Sequence, residues 1–213
     1  MTLLRLSLLA AAAAMLGSCA AAVRYARIDP PAYALTVWLA DDPLLDPVDA
    51  LRGCMEWRAK GVVCRLTMDP ARADVRVTVD DGPCVEDDKG LHTLALAYHG
   101  GSVVFNKKCF AVGSDYGRKM FRTVMTHEIG HEAGIWEHVP PKCDAKAARH
   151  DGRPICGRAV MNPLCDPDVN FVTVPDALAF DARGGADNAL RPLDVADGRP
   201  AADDRPICVY HGK

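Results

Sequence analysis

The sequence predicts an α+β domain, and two observations carry that prediction. Strand-like runs rich in β-branched residues occupy residues 34–39, 62–67, 75–79, 91–98 and 102–106. From Ser114 onward the apolar spacing changes to four residues, as a long helix requires. The composition permits one core for these elements. Of 213 residues, 49% are hydrophobic, and 25 Lys and Arg stand against 28 Asp and Glu, a balance that excludes a disordered chain. A net charge of −3 provides no basic footprint, so no nucleic-acid partner is expected.

The chain opens on an address. Arg5 precedes an apolar run over residues 6–16 that is too short to span a bilayer and is built like a secretory signal. It closes on Leu16-Gly17-Ser18-Cys19, which resembles a bacterial lipobox with a less common Gly at its second position. The resemblance implies a signal peptide over residues 1–18, cleavage before Cys19 and acylation of that cysteine. The mature protein would then be exported and lipid-anchored in the bacterial cell envelope, at the outer membrane or cell surface. Acyl chains contribute about 0.8 kcal/mol per buried methylene, so the membrane would be a lasting partner. The plainer alternative is an ordinary signal peptide cleaved near residues 20–22.

Residues 19–32 lack periodicity, end in Pro30-Pro31 and read as a tether. The strand at 34–39 follows. Asp46-Pro47 then opens an amphipathic helix expected to run to about Lys60, with Val48, Leu51, Met55 and Trp57 near helical spacing. Strands at 62–67 and 75–79 are bounded by Asp, Pro or Gly, and 91–98 and 102–106 flank His99-Gly100-Gly101 as a hairpin. Ser114 or Asp115 caps the long helix, which should end near Gly134, a residue suited to the left-handed C-terminal position. A loop rich in Cys, Pro and Asp leads to Met161, and a last helix runs over 175–183, closed by Gly184-Gly185. Residues 33–185 thus form the domain, and 186–213 an extended tail held, if at all, through Cys208. There is no internal repeat.

The chain has 9 cysteines, and setting aside Cys19 leaves an even set: Cys54, Cys64, Cys84, Cys109, Cys143, Cys156, Cys165 and Cys208. With no CxxC pair among them, they read as up to four disulfides of an exported protein. Eight cysteines allow 105 connectivities, and only the short separations Cys54/Cys64 and Cys84/Cys109 suggest pairs.

The chemistry lies on the long helix. His127-Glu128-Ile129-Gly130-His131 is an HExxH motif, and residues four apart on a helix share a face, so both imidazoles can reach one zinc ion about 2 Å away. Neutral nitrogen ligands keep zinc Lewis acidic, and the Glu128 carboxylate flanks that face as the base for a bound water. Gly134 sits seven residues after His127, His138 four residues later, and Ala159-Val160-Met161-Asn162-Pro163 reads as a tight turn.

Together these residues resemble the metzincin clan of zinc endopeptidases, and HEIGH with VMNP is most similar to its matrixin-like branch. The resemblance covers about residues 33–183. It implies a twisted mixed β-sheet with a long active-site helix, and a Met-turn that places Met161 beneath the metal as packing. Gly130 fits the same branch, where a glycine allows close approach. The family spacing HExxHxxGxxH puts the third ligand at Glu137, with His138 one residue later. Either the loop is one residue longer and His138 binds, or Glu137 supplies an oxygen; histidine is the closer match to the clan's ligand. The resemblance further implies hydrolysis of peptide bonds in a protein or peptide substrate, by attack of zinc-bound water with Glu128 as general base. The strand of Ser102, Val103, Val104 and Phe105 would be the edge that accepts an extended peptide. No Tyr follows the turn to assist the oxyanion.

Other residues receive plainer readings. His92, His99, His150 and His211 have no ligand spacing. Trp136 either walls the pocket or packs under the loop. Asp41-Asp42 and Asp80-Asp81-Gly82 could hold Ca2+ but read as turn residues, so calcium is unsupported. Two competing functions stay open: a zinc-stabilised, non-catalytic surface lipoprotein for binding or adhesion, and amide hydrolysis on a small peptide or cell-wall fragment. No pro-segment of useful length is evident between Cys19 and Tyr33, so control is expected from location or an inhibitor.

Overall fold

The computed structural model describes residues 33–88, 90–98, 100–135 and 137–183, together with the backbone of 208–211. Cys19, the signal and tether, His99, Trp136 and most of the tail lie outside the described residues.

The α+β expectation holds: a six-stranded mixed sheet is packed against helices. The strands are β1 (Tyr33–Leu39), β2 (Val62–Thr67), β3 (Val75–Asp80), β4 (Leu91–Tyr98), β5 (Ser102–Asn106) and β8 (Cys208–His211), in the order β2-β1-β3-β5-β4-β8. A small separate ribbon pairs β6 (Arg149–His150) with β7 (Arg153–Pro154). The pairs β1–β2, β1–β3 and β3–β5 are parallel, whereas β4 runs antiparallel to both β5 and β8. One face carries the alternating buried set Leu35, Val37, Val75, Val77, Val103 and Phe105, each no more than 1% exposed.

Helix α1 (Pro47–Met55) begins where expected, with the Asp46 carboxylate accepting from the Asp49 N–H at 2.9 Å and Pro47 in the first turn. It ends earlier than the sequence suggested. Residues Glu56–Lys60 tighten into a 3-10 turn, and Gly61 at φ 85° releases the chain into β2. The tighter turn puts Trp57 fully inside, and the Cys54–Cys64 disulfide joins the end of α1 to β2.

Helix α2 (Asp115–Glu132) spans the core. Its Met120, Phe121, Val124 and Met125 are buried, with the Phe121 ring 5.1 Å from that of Phe105. Each fully buried side chain of this size contributes about 1.5–3 kcal/mol. Helix α1 crosses α2 at Gly53, where a Cβ would lie 2.9 Å from the Arg122 carbonyl oxygen. Helix α3 (Val174–Ala182) closes the described domain.

The hairpin reading also holds, with β4 and β5 paired around Gly100 and Gly101, both at positive φ. The assignment of Ser102, Val103, Val104 and Phe105 to an open edge does not. β5 pairs with β3 on one side and β4 on the other, so its backbone groups are spent on the sheet. The outer strand of the hairpin is β4, and β8 pairs along part of it. Two suggested disulfides form, Cys54–Cys64 and Cys84–Cys109, as does Cys143–Cys156, and Cys165 is disulfide-bonded as well.

Candidate metal centre

Helix α2 starts at Ser114, whose Oγ accepts from the Gly117 N–H at 2.9 Å. Its other end is set by Gly134, at φ 99°. The Gly134 N–H donates to the His131 carbonyl at 2.9 Å and the Ile135 N–H to the Gly130 carbonyl at 3.0 Å, the paired bonds of a Schellman ending. That ending turns the chain back on the helix. The Ile135 carbonyl then accepts from His131 Nδ1 at 2.6 Å, so the glycine orients a histidine as well as stopping a helix.

His127 is oriented from farther away. Its Nδ1 donates to the Val160 carbonyl at 2.7 Å, in the turn that carries Met161. Asp176, on α3, holds this turn: its carboxylate accepts from the Val160 N–H at 3.0 Å and the Met161 N–H at 2.9 Å. The Thr173 N–H and hydroxyl donate to it as well, at 2.8 and 2.7 Å. Burial pushes the Asp176 carboxyl above its ordinary pKa, opposed by these donors. Asn162 ties the turn to the segment after His138. Its amide donates to the Val139 carbonyl at 2.6 Å, while the Val139 N–H reaches the Met161 carbonyl at 2.9 Å.

With both Nδ1 atoms carrying the proton, the two Nε2 atoms of the neutral rings are unprotonated acceptors, and they lie 3.1 Å apart. Two acceptors so close repel unless a cation lies between them. Their separation is near the ligand–ligand spacing of a tetrahedral ion with bonds of about 2.0–2.1 Å. Ligand atoms of His127, His131 and His138 all lie within 4.8 Å of one another. Burial and the neighbouring His138 push His131 down to about 3, against its bond to Ile135, so it stays neutral and able to bind a metal. Glu137 does not join this cluster: its side chain is 79% exposed and pairs with Arg183 at 2.6 Å.

Glu128 is fully buried, and neither carboxylate oxygen has a hydrogen-bond partner. Burial first, then the nearby Glu132, raises its pKa well above the ordinary range. The Ala97 N–H of β4 approaches closely enough to offset part of this without closing a hydrogen bond. The three imidazoles are a donor set that fits zinc, and the orphaned Glu128 carboxylate follows His127 directly on the same helix. Met161 is fully buried against Gly130, where a Cβ would fall 2.3 Å from the Met161 sulfur and 2.7 Å from the Trp57 ring.

No family model matches the chain, and no curated protein does. Two solved structures of myroilysin are similar to part of it, at 16% and 19% identity with TM-scores of 0.38. They match 55% of this chain, which spans about half of their length, 47% and 50%.

A second group, Cys84, His92 and Cys109, also lies close together, but its two sulfurs are joined in a disulfide. The acidic pairs do turn work. Asp80 accepts from the Gly82 N–H at 3.0 Å, and Asp42 from the Leu44 N–H at 2.8 Å and Lys107 at 2.6 Å. Sequence reasoning passed over Asp176. The signal available was Thr173-Val-Pro-Asp176, a capping box at the start of α3, which the structure uses both as a cap and as the clamp on the turn.

Proposed function

We propose that this chain is a zinc-dependent endopeptidase of the metzincin, matrixin-like kind, exported and anchored to the bacterial envelope through Cys19. The observation that carries the reading is the pair of unprotonated Nε2 atoms 3.1 Å apart, with both Nδ1 atoms committed to carbonyls and His138 within reach of the same point. Such backbone partners fix the tautomer and raise ligand basicity at metal sites. His127, His131 and His138 are the ligands, His138 being preferred to Glu137 because Glu137 is engaged with Arg183. The turn carrying Met161 is read as a Met-turn.

Zinc in this set supplies Lewis acidity and lowers the pKa of water. Glu128 accepts the proton of the attacking water and delivers it to the leaving amine. Its raised proton affinity lets it hold that proton between the two steps. β4 supplies the pairing edge for an extended peptide, with Ala97 beside Glu128 setting where the reacting bond lies.

The test is cleavage of a casein-derived peptide mixture by the zinc-loaded chain, read by mass spectrometry. Cleavage is expected for the wild type and is lost by at least about 100-fold in Glu128→Gln, the lower end of general acid–base contributions. A chelator should abolish it. Equal cleavage by Glu128→Gln, or none by a wild type that holds zinc, would reject the proposal.

A further inference from the structure

The edge strand β4 is not open along its whole length. β8 lies against it antiparallel, with Cys208 opposite Ala95, Val209 opposite Thr93, Tyr210 opposite His92 and His211 opposite Leu91. The register shifts between Thr93 and Ala95. On its inner side β4 is paired with β5. The outer side therefore has two parts. Residues 91–95 are taken by the chain's own C-terminal strand, whereas 96–98 meet no strand among the described residues and include Ala97, the residue beside Glu128.

An extended peptide with a bond at Glu128 and pairing antiparallel to β4 would continue from Ala97 toward Leu91, along the track that β8 follows. We propose that β8 is an intramolecular occupant of the peptide-accepting edge, competing with substrate for residues 91–95. This rests on the peptidase reading for the meaning of the edge, but the occupancy itself rests on backbone pairing. Because the pairing is main-chain to main-chain, it would exclude peptides irrespective of their side chains. A tethered segment acts at an effective concentration of about 1 mM, so if the free strand binds with a Kd of about 0.1 mM, an incoming peptide is weakened about tenfold. The chain would carry its own brake, released when the C-terminal strand is displaced.

The test uses the full chain, loaded with zinc and carrying Glu128→Gln so that nothing is cleaved. The probe is a fluorescein-labelled synthetic peptide of residues 206–213 with Cys208→Ser, and binding is read by anisotropy. A double variant, Val209→Pro with Tyr210→Pro, removes the pairing of β8 because proline cannot donate to a ladder. The probe should bind this variant about tenfold more tightly than the chain with β8 intact. Val209→Gly with Tyr210→Gly, a gentler weakening, is read the same way should the proline pair fail to fold. Equal affinities overturn the proposal, as does amide exchange over residues 208–211 of the unaltered chain at unfolded-chain rates. A tenfold ratio alongside a zinc-loaded β8-released variant that keeps Glu128 yet cleaves no casein peptide would reject the peptidase reading and leave the occupancy standing.

Discussion

The two helix histidines are held in the same way chemically and in opposite ways topologically. His131 donates to the Ile135 carbonyl four residues away, placed by the Gly134 turn. His127 donates to Val160, 33 residues away, in a turn that Asp176 clamps from another helix. One support is local and forms with the helix end; the other exists only once α3 has docked. Metal affinity at such a site should therefore depend on tertiary packing through His127 more than through His131.

The largest effect is expected at the long-range support. Asp176→Ala leaves the buried Val160 and Met161 N–H groups without their partner, at about 1–3 kcal/mol each. It should also lower zinc affinity about 10–100-fold, the usual effect of losing an outer-shell partner. Denaturant unfolding and a competitive zinc titration measure both, and unchanged zinc affinity would remove the proposed link from Asp176 to His127.

Acid should expose how deeply His131 is buried. In the metal-free protein its pKa is about 3, against 6.5 unfolded, so the unfolded state binds the extra proton in that window. The stability this gives is complete above 6.5 and is lost as pH falls toward 3. Glu128 and Glu132, both raised by burial, act with the opposite sign above 4.5. Below 4.5 those two carboxyls cease to oppose it, while Asp176, raised, and Asp42, lowered, still titrate, so the His131 share is the part of the acid loss that its substitution removes. Urea midpoints between pH 4.5 and 3 should fall less steeply in His131→Gln.

Gly130→Ala tests the contact between the two supports. The added methyl meets Met161 and Trp57, an overpacking cost of about 1–3 kcal/mol, offset by about 1 kcal/mol of helix propensity. A net gain in melting temperature would contradict the tight approach. Gly134→Ala should cost about 1–2 kcal/mol for a side chain at φ 99°. Its zinc affinity should fall less than that of Asp176→Ala; the reverse order would invert the comparison.

The same division explains what could be read from the sequence. Ser114, the four-residue spacing, HExxH and Gly134 act on neighbours, and α2 and its ending follow from them directly. The β4–β5 hairpin was legible because its glycine turn is contiguous with both strands. The order of the sheet was not. Ser102 to Phe105 alternates as an edge strand does, but its position is decided by pairing with β3, which no local pattern records. The pairing of Glu137 with Arg183, a neighbour from α3's end, is likewise recorded in no local pattern. Asp176 shows only its capping role in sequence, because the N–H groups it also serves lie 15 and 16 residues upstream. β8 sits in a tail whose composition gave no strand signal.

The most direct measurement is X-ray absorption at the zinc edge on the purified, zinc-loaded chain, with stoichiometry determined on the same sample. One zinc per chain with three imidazole nitrogens at about 2.0–2.1 Å, and loss of one of them in His138→Ala but not Glu137→Ala, is the predicted result. A site without imidazole scattering, or one that loses a ligand only in Glu137→Ala, would contradict the account.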